Sequence, residues 1–337
     1  MYSTKGRIPL VLRYDDYSSL SNTAADVRVI AALKRHKMQA TFAVIPYVCS
    51  GDAHDASAQT SVPLAGEKAR ILKEAVDSGV VDVALHGFSH QSIRSEHAAG
   101  YSEFRGLERD SQSRRILRGK SLLEETLGVR MATFIPPWGT YDSVTLSVLE
   151  DLGFEALSAN MEGTTGEFSR LKFLPATCEL AHLPKAIASV RSTRDPQPIV
   201  VAAIHSYDPE LVRGCADEPS GTTFESILDW ISSQPDVEVR SITETLHLTT
   251  DLLQDRYRAV RSLASLQRLV LPGSRYKLDF YPSQTTTRRM RRLTWFRSVL
   301  FAGPTLGRLA YRRLRSLASR AGSRTRQGVG DDDTTNE

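Results

Sequence analysis

The sequence has no run of about 18 uncharged apolar residues, which excludes a chain built on membrane-spanning helices. It has only three cysteines, Cys49, Cys178 and Cys215, far apart and without a CxxC pair. That excludes a disulfide scaffold and a structural zinc knot, and it fits a reducing compartment. Met1 to Pro9 lacks the apolar core of a secretory signal, so a cytoplasmic address is expected. No internal repeat is apparent. What is present is ordinary: 41% hydrophobic and 24% charged residues over 337 positions, a soluble globular composition that excludes collagen, coiled-coil rods and wholly disordered chains. The length suits one large domain of about 200–250 residues with an appendage, or two domains.

Charge is unevenly spread. Residues 1–250 carry 25 Lys/Arg against 32 Asp/Glu, residues 251–327 carry 18 against 3, and the last ten residues hold 4 acids. An acidic body thus carries a basic extension, and the extension's partner is expected to be anionic.

Short apolar runs alternate with amphipathic segments through the first 250 residues. Strands are predicted at Ile8 to Tyr14, Thr41 to Ile45, Val80 to Leu85, Met131 to Ile135, Phe154 to Ser158, Ile199 to Ile204 and Val237 to Val239. Helices are predicted from Ser21 or Asn22 to Lys37, Glu67 to Ser78, Asp110 to Leu127, Asp142 to Leu152, His182 to Val190 and Phe224 to Ser232, with Gly79, Gly128 and Gly153 as stops. This alternation implies an α/β fold with a parallel sheet and helices outside it. The expected organisation is a barrel over 1–250, a basic amphipathic helical extension over 251–325, and a disordered acidic tail over 326–337.

The chemistry-bearing residues cluster at predicted strand ends, the active-site face of barrel-like α/β folds. Asp15–Asp16 closes the first strand; one carboxylate can bind a metal while the other acts as a base, or the pair is a solvated turn. His86-Gly87-Phe88-Ser89-His90 spaces two imidazoles by four, so that on a helical turn both would face one ion; the plain alternative is two surface histidines. Two His and one Asp make a three-ligand site with open positions, which suits catalysis. Pro136-Pro137-Trp138-Gly139 is a rigid turn that can fix a backbone N–H for an oxyanion, or simply a tight loop. His205, after Val200 to Ile204, can donate a proton to a leaving amine, or be a satisfied strand-end histidine. His36, His54, His97, His182 and His247 read as surface residues.

In this order, these segments resemble the polysaccharide deacetylase superfamily (NodB homology, carbohydrate esterase family 4) over residues 8–208, in a less characterised branch marked by Glu103-Phe104-Arg105-Gly106-Leu107. The resemblance implies a distorted (β/α) barrel of about seven parallel strands. It implies Asp15 as catalytic base, Asp16, His86 and His90 as metal ligands, the Trp138 N–H as oxyanion donor and His205 as general acid. Two features depart from the family. Ile135 stands where the family has the arginine that orients the base, and Arg13 is offered as a substitute, two residues before Asp15 on the same strand face. Leu157-Ser158-Ala159-Asn160 replaces the fourth motif, leaving the carboxylate that tunes the last histidine unassigned.

The expected function is metal-dependent removal of an acetyl group from an N-acetylated sugar or glycan, with Zn2+ as the expected ion and Co2+, Ni2+, Fe2+ or Mn2+ as alternatives. The competing readings are a non-catalytic barrel that keeps the metal and binds a glycan or a partner, and an esterase with the same site. Residues 288–320, with Arg, Trp, Phe and Leu near helical spacing, are expected on an anionic membrane surface rather than on nucleic acid, with packing against the acidic body as the alternative.

Overall fold

The structure is a computed structural model that describes residues 7–94, 100–160, 169–193, 198–208, 211 and 223–258. In chain order the elements are β1 (Ile8–Tyr17), α1 (Thr23–His36), β2 (Ala40–Val44), β3 (Tyr47–Cys49), β4 (Ser61–Pro63), α2 (Gly66–Asp77), β5 (Val81–Leu85), α3 (Arg109–Leu127), β6 (Thr133–Phe134), α4 (Ser143–Asp151), β7 (Ala156–Leu157), β8 (Lys172–Phe173), β9 (Cys178–Glu179), α5 (Leu183–Thr193), β10 (Val200–His205), α6 (Phe224–Ser232), β11 (Val237–Val239) and α7 (Ile242–Thr245). Local chemistry sets the boundaries. Asn22 caps α1 by accepting from the Ala25 amide, and Lys37 ends it in the left-handed region. Asp142 and Thr145 form a reciprocal capping box on α4, as Thr223 and Ser226 do on α6.

The main sheet is parallel, in the order β8-β7-β6-β5-β2-β1-β10-β9, with β11 pairing to the start of β1. Its two ends, β8 and β9, are neighbours in sequence. Leu174 and Ala176 donate to Leu157 and Ala159 beside β7; the next amide, Thr177, donates to Val201 in β10. One continuous segment therefore hands its hydrogen bonds from one edge of the sheet to the other. Counted as a single kinked strand, β8 and β9 make the barrel seven-stranded, with β11 as an addition. The expected distorted (β/α) barrel is what the chain forms. The short pairings β3–β4, β8 and β9 were not foreseen: each has only two or three residues, too few for a periodic signal.

The central strands are buried on both faces, because helices cover the outside and side chains fill the inside. Residues 251–258 are helical and belong to this wall: Leu253 and Tyr257 lie in the core, and the Gln254 side chain bonds both the N–H and the carbonyl of Phe173. The packed body thus runs through residue 258 rather than stopping at 250. The remainder of the expected basic extension and the acidic tail lie outside the described residues. Among the described residues no helix is long and apolar enough to cross a membrane.

A buried ion pair locks the helices under the first strand. Lys68 of α2 pairs with Asp26 of α1, and Asp26 also accepts from the Tyr14 hydroxyl (2.7 Å) and from Ser21 Oγ (2.8 Å). The Lys68 ammonium stands 4.3 Å from the centre of the Tyr17 ring, whose hydroxyl donates to the Lys68 carbonyl. Tyr14 and Tyr17 bracket Asp15–Asp16, so the network anchors both sides of the acidic pair. Removing one member of a buried pair strands the other charge, at about 3–5 kcal/mol. Urea unfolding of the Asp26→Asn protein should therefore show a loss in that range; a loss below about 1 kcal/mol would show that the pair is not a structural anchor.

Candidate metal centre

Alternation along a strand sends consecutive side chains to opposite faces. β1 evades this: it continues past the acidic pair to Tyr17, its register against β2 shifts between Tyr14 and Tyr17, and Asp16 takes a left-handed φ of 70°. Such a bulge re-aims one side chain without ending the strand. Asp15 remains in register beside His205 on β10. The pair therefore does not close the strand, as expected from sequence, but sits in an irregularity inside it.

His86 follows β5, its amide held by the Val44 carbonyl (2.8 Å). Its Nδ1 donates to the Ile135 carbonyl (2.9 Å), which leaves Nε2 to face Asp16 Oδ1 at 3.1 Å. His90 Nε2 lies 3.2 Å from the same oxygen. The two histidines do not share a helical turn. Gly87 (φ 66°) and His90 (φ 54°) are left-handed, and the loop they build curls the second imidazole back beside the first. A Cβ on Gly87 would sit 2.2 Å from Glu103 Oε2 and 2.6 Å from the Pro137 ring, so glycine is required there.

Asp16, His86 and His90 each offer one ligand atom, all within 4.8 Å of one another. Two imidazoles and a carboxylate, one imidazole oriented by a backbone carbonyl, suit a divalent cation. Charge supports the same conclusion. Burial raises the Asp16 carboxyl, but hydrogen bonds and charge from His86 and His90 outweigh it and hold it far below the usual carboxylate range. Burial lowers His90, but Asp16 and Glu103 together carry it above its ordinary value.

The other expected residues surround this cluster. Arg13 grips Asp15 through two bonds, Nε to Oδ1 at 3.0 Å and Nη2 to Oδ2 at 2.7 Å, with both side chains buried. Its Nη1 donates to the Ser158 hydroxyl and carbonyl, so residue 158, from the stretch that replaces the fourth motif, anchors the arginine. His205 Nε2 stands 3.9 Å from Asp15 Oδ2. Trp138, with a left-handed φ of 53°, places its ring 4.5 Å from that of His90. Three of the four left-handed non-glycine residues among those described, Asp16, His90 and Trp138, thus belong to one site, where strain tends to concentrate.

Several contributors were missed from sequence. Asp208 receives the His205 backbone N–H at 2.8 Å and puts a carboxylate oxygen 3.7 Å from its Nδ1. Burial lowers His205, yet the nearby carboxylates of Asp208, Asp15 and Asp16 raise it above its ordinary value. The signal was available: an acid three residues after a strand-end histidine is placed to fold back over it. Tyr207 stacks on the His205 ring at 4.9 Å and is 66% exposed. His54 remains at the surface as expected, but its ring joins Tyr101 (4.3 Å) and Trp138 (6.0 Å) in an aromatic rim. His36 departs from the surface reading: its side chain is largely covered and bridges the Ala32 carbonyl and Asp229.

Residues 3–157 match the sequence pattern described as polysaccharide deacetylase. Among solved structures, 4-alpha-glucanotransferase from Thermococcus litoralis aligns with a TM-score of 0.51 at 14% identity, over 72% of this chain and 41% of that one; it shows a shared fold. A putative polysaccharide deacetylase from Mycobacterium smegmatis aligns at 0.48 and 14% identity, over 73% and 91%. A family 4 acetyl xylan esterase from Clostridium thermocellum, in complex with a cobalt ion, aligns at 0.44 and 15% identity, over 71% and 91%. No match was found among the curated proteins.

Proposed function

Because residues 3–157 carry a polysaccharide deacetylase domain of the NodB-homology superfamily, we propose that this chain is a metal-dependent hydrolase that removes an acetyl group from an N-acetylated sugar or glycan. The observation that carries the proposal is the convergence of Asp16, His86 and His90 beside Asp15 and His205 at one mouth of the barrel. Asp16, His86 and His90 would hold the divalent ion, Zn2+ by preference, with Co2+, Ni2+, Fe2+ or Mn2+ compatible with the same donors. Bound there, the ion supplies Lewis acidity toward the acetyl carbonyl and makes water a better nucleophile.

The chain's own groups then divide the work. Asp15, held by Arg13, takes the proton from the attacking water. The Trp138 N–H stabilises the oxyanion as it forms. His205 gives its proton to the sugar nitrogen as the carbon–nitrogen bond breaks, so acetate and a free amine leave. The Arg13–Asp15 pair favours a working enzyme over a non-catalytic barrel, because it supplies the orienting cation that Ile135 cannot.

Acetate release from a panel of N-acetylated glycans tests the proposal. Wild-type protein should release acetate and stop when chelated. Asp16→Ala and His86→Ala should lose both the ion and turnover. Asp15→Asn should keep the ion and lose about 10²–10⁴-fold in kcat. Full activity in Asp15→Asn would remove the base assignment, and no release by a metal-loaded wild type from any substrate would favour the binding-only reading.

His205 also fixes a pH dependence. A general acid works while protonated, and the Asp208 carboxylate, 3.7 Å from Nδ1, raises its pKa together with Asp15 and Asp16. Asp208→Asn should therefore move the alkaline limb of kcat/KM to lower pH. An unmoved limb would show that another group donates the proton.

For the basic extension we propose an anionic lipid surface as the partner of residues 288–320, which would hold a cytoplasmic enzyme at the membrane periphery. Basic side chains near such a surface contribute about 1 kcal/mol each. The full chain should co-sediment with phosphatidylserine vesicles but not with neutral ones, and replacing Arg288, Arg289, Arg291 and Arg292 by Gln should release it. Absence of sedimentation with anionic vesicles would end this assignment.

A further inference from the structure

We propose that Glu103 is a positioning residue for the candidate metal site, fixing the loop that sets the two histidine donors relative to each other. The inference rests on the metal reading above. Glu103 is fully buried. Among the described residues no Lys or Arg pairs with it. Its carboxylate instead accepts three hydrogen bonds: from the Phe88 N–H at 3.0 Å, the Ser89 N–H at 2.6 Å and the Ser89 hydroxyl at 2.8 Å. Phe88 and Ser89 lie midway between His86 and His90. A buried carboxylate without a counter-cation is costly, and among the described residues its compensation comes from this loop.

The opposite edge of the loop is also occupied. The Tyr47 and Cys49 amides donate to the Phe88 and Ser89 carbonyls at 3.0 and 2.9 Å. Phe88–Ser89 thus lies between a strand edge and a carboxylate, with all four of its backbone polar groups used. That clamp holds His90 in its left-handed conformation, which a histidine would not favour on its own. Glu103 Oε2 and the Pro137 ring both close over Gly87, in the space a Cβ would need. The role of Glu103 is therefore indirect: it touches neither reacting atoms nor ion, and acts through the backbone between two donors.

Glu103→Gln tests this at nearly constant shape. Its amide NH₂ would face one of the three donors and repel it. Zn2+ affinity of the full chain, measured by competition with a chromophoric chelator, should fall about 10–100-fold, the range typical for groups that orient ligands. The visible spectrum of the Co2+-loaded protein should change as well, a readout that simple destabilisation would not move. Far-ultraviolet circular dichroism should show the metal-free fold retained. A folded Glu103→Gln protein with wild-type affinity and spectrum overturns the proposal. If that variant does not fold, Ser89→Ala decides, since it removes only the hydroxyl bond: severalfold weaker Zn2+ binding supports the proposal and unchanged binding overturns it. A wild-type chain that binds no divalent ion overturns the metal reading itself, and this inference with it.

Discussion

Two consecutive carboxylates on a regular strand cannot serve one site, because the strand sends them to opposite faces. Everything at this barrel mouth depends on the exception made at Asp16. The bulge in β1 lets Asp16 turn toward His86 and His90 while Asp15 stays in register beside His205. Tyr14 and Tyr17, tied to the Asp26–Lys68 pair, hold the backbone on both sides of the bulge. A strained turn of this kind persists only where its surroundings over-determine it.

The remaining groups reach the site by similar means. His90 and Trp138 also sit in left-handed turns, the former braced by Glu103 and β3, the latter by a double-proline corner. The site is thus built from short irregular segments at the ends of a regular parallel sheet. The sheet supplies a rigid frame, and the irregularities supply the aim. Among the described residues carboxylates outnumber basic side chains here, which draws His90 and His205 toward their protonated forms and makes the pocket attractive to a divalent ion.

Much of this was legible in the sequence. The alternation of apolar runs with amphipathic helices gave the parallel barrel, and strand-end placement brought Asp15, Asp16, His86, Trp138 and His205 onto one face. Arg13 could be suggested from its spacing to Asp15, and the structure places the two in contact. What escaped was whatever depends on long-range folding or on conformation. Asp and His enter the left-handed region more readily than most residues, but that preference is too weak to place turns at Asp16 and His90. Ser158 meets Arg13 across 145 positions, and Glu103 meets Ser89 by a loop returning to the site. The closure through β8 and β9 uses strands of two residues, and only their hydrogen bonds reveal it.

The central claim is that Asp16, His86 and His90 share one divalent ion, and X-ray absorption spectroscopy of the full chain loaded with one equivalent of Zn2+ tests it most directly. The account predicts nitrogen and oxygen neighbours at about 2.0–2.2 Å with multiple scattering from two imidazoles, one of which disappears in His90→Ala. A first coordination sphere containing thiolate sulfur, or one without imidazole, would contradict it.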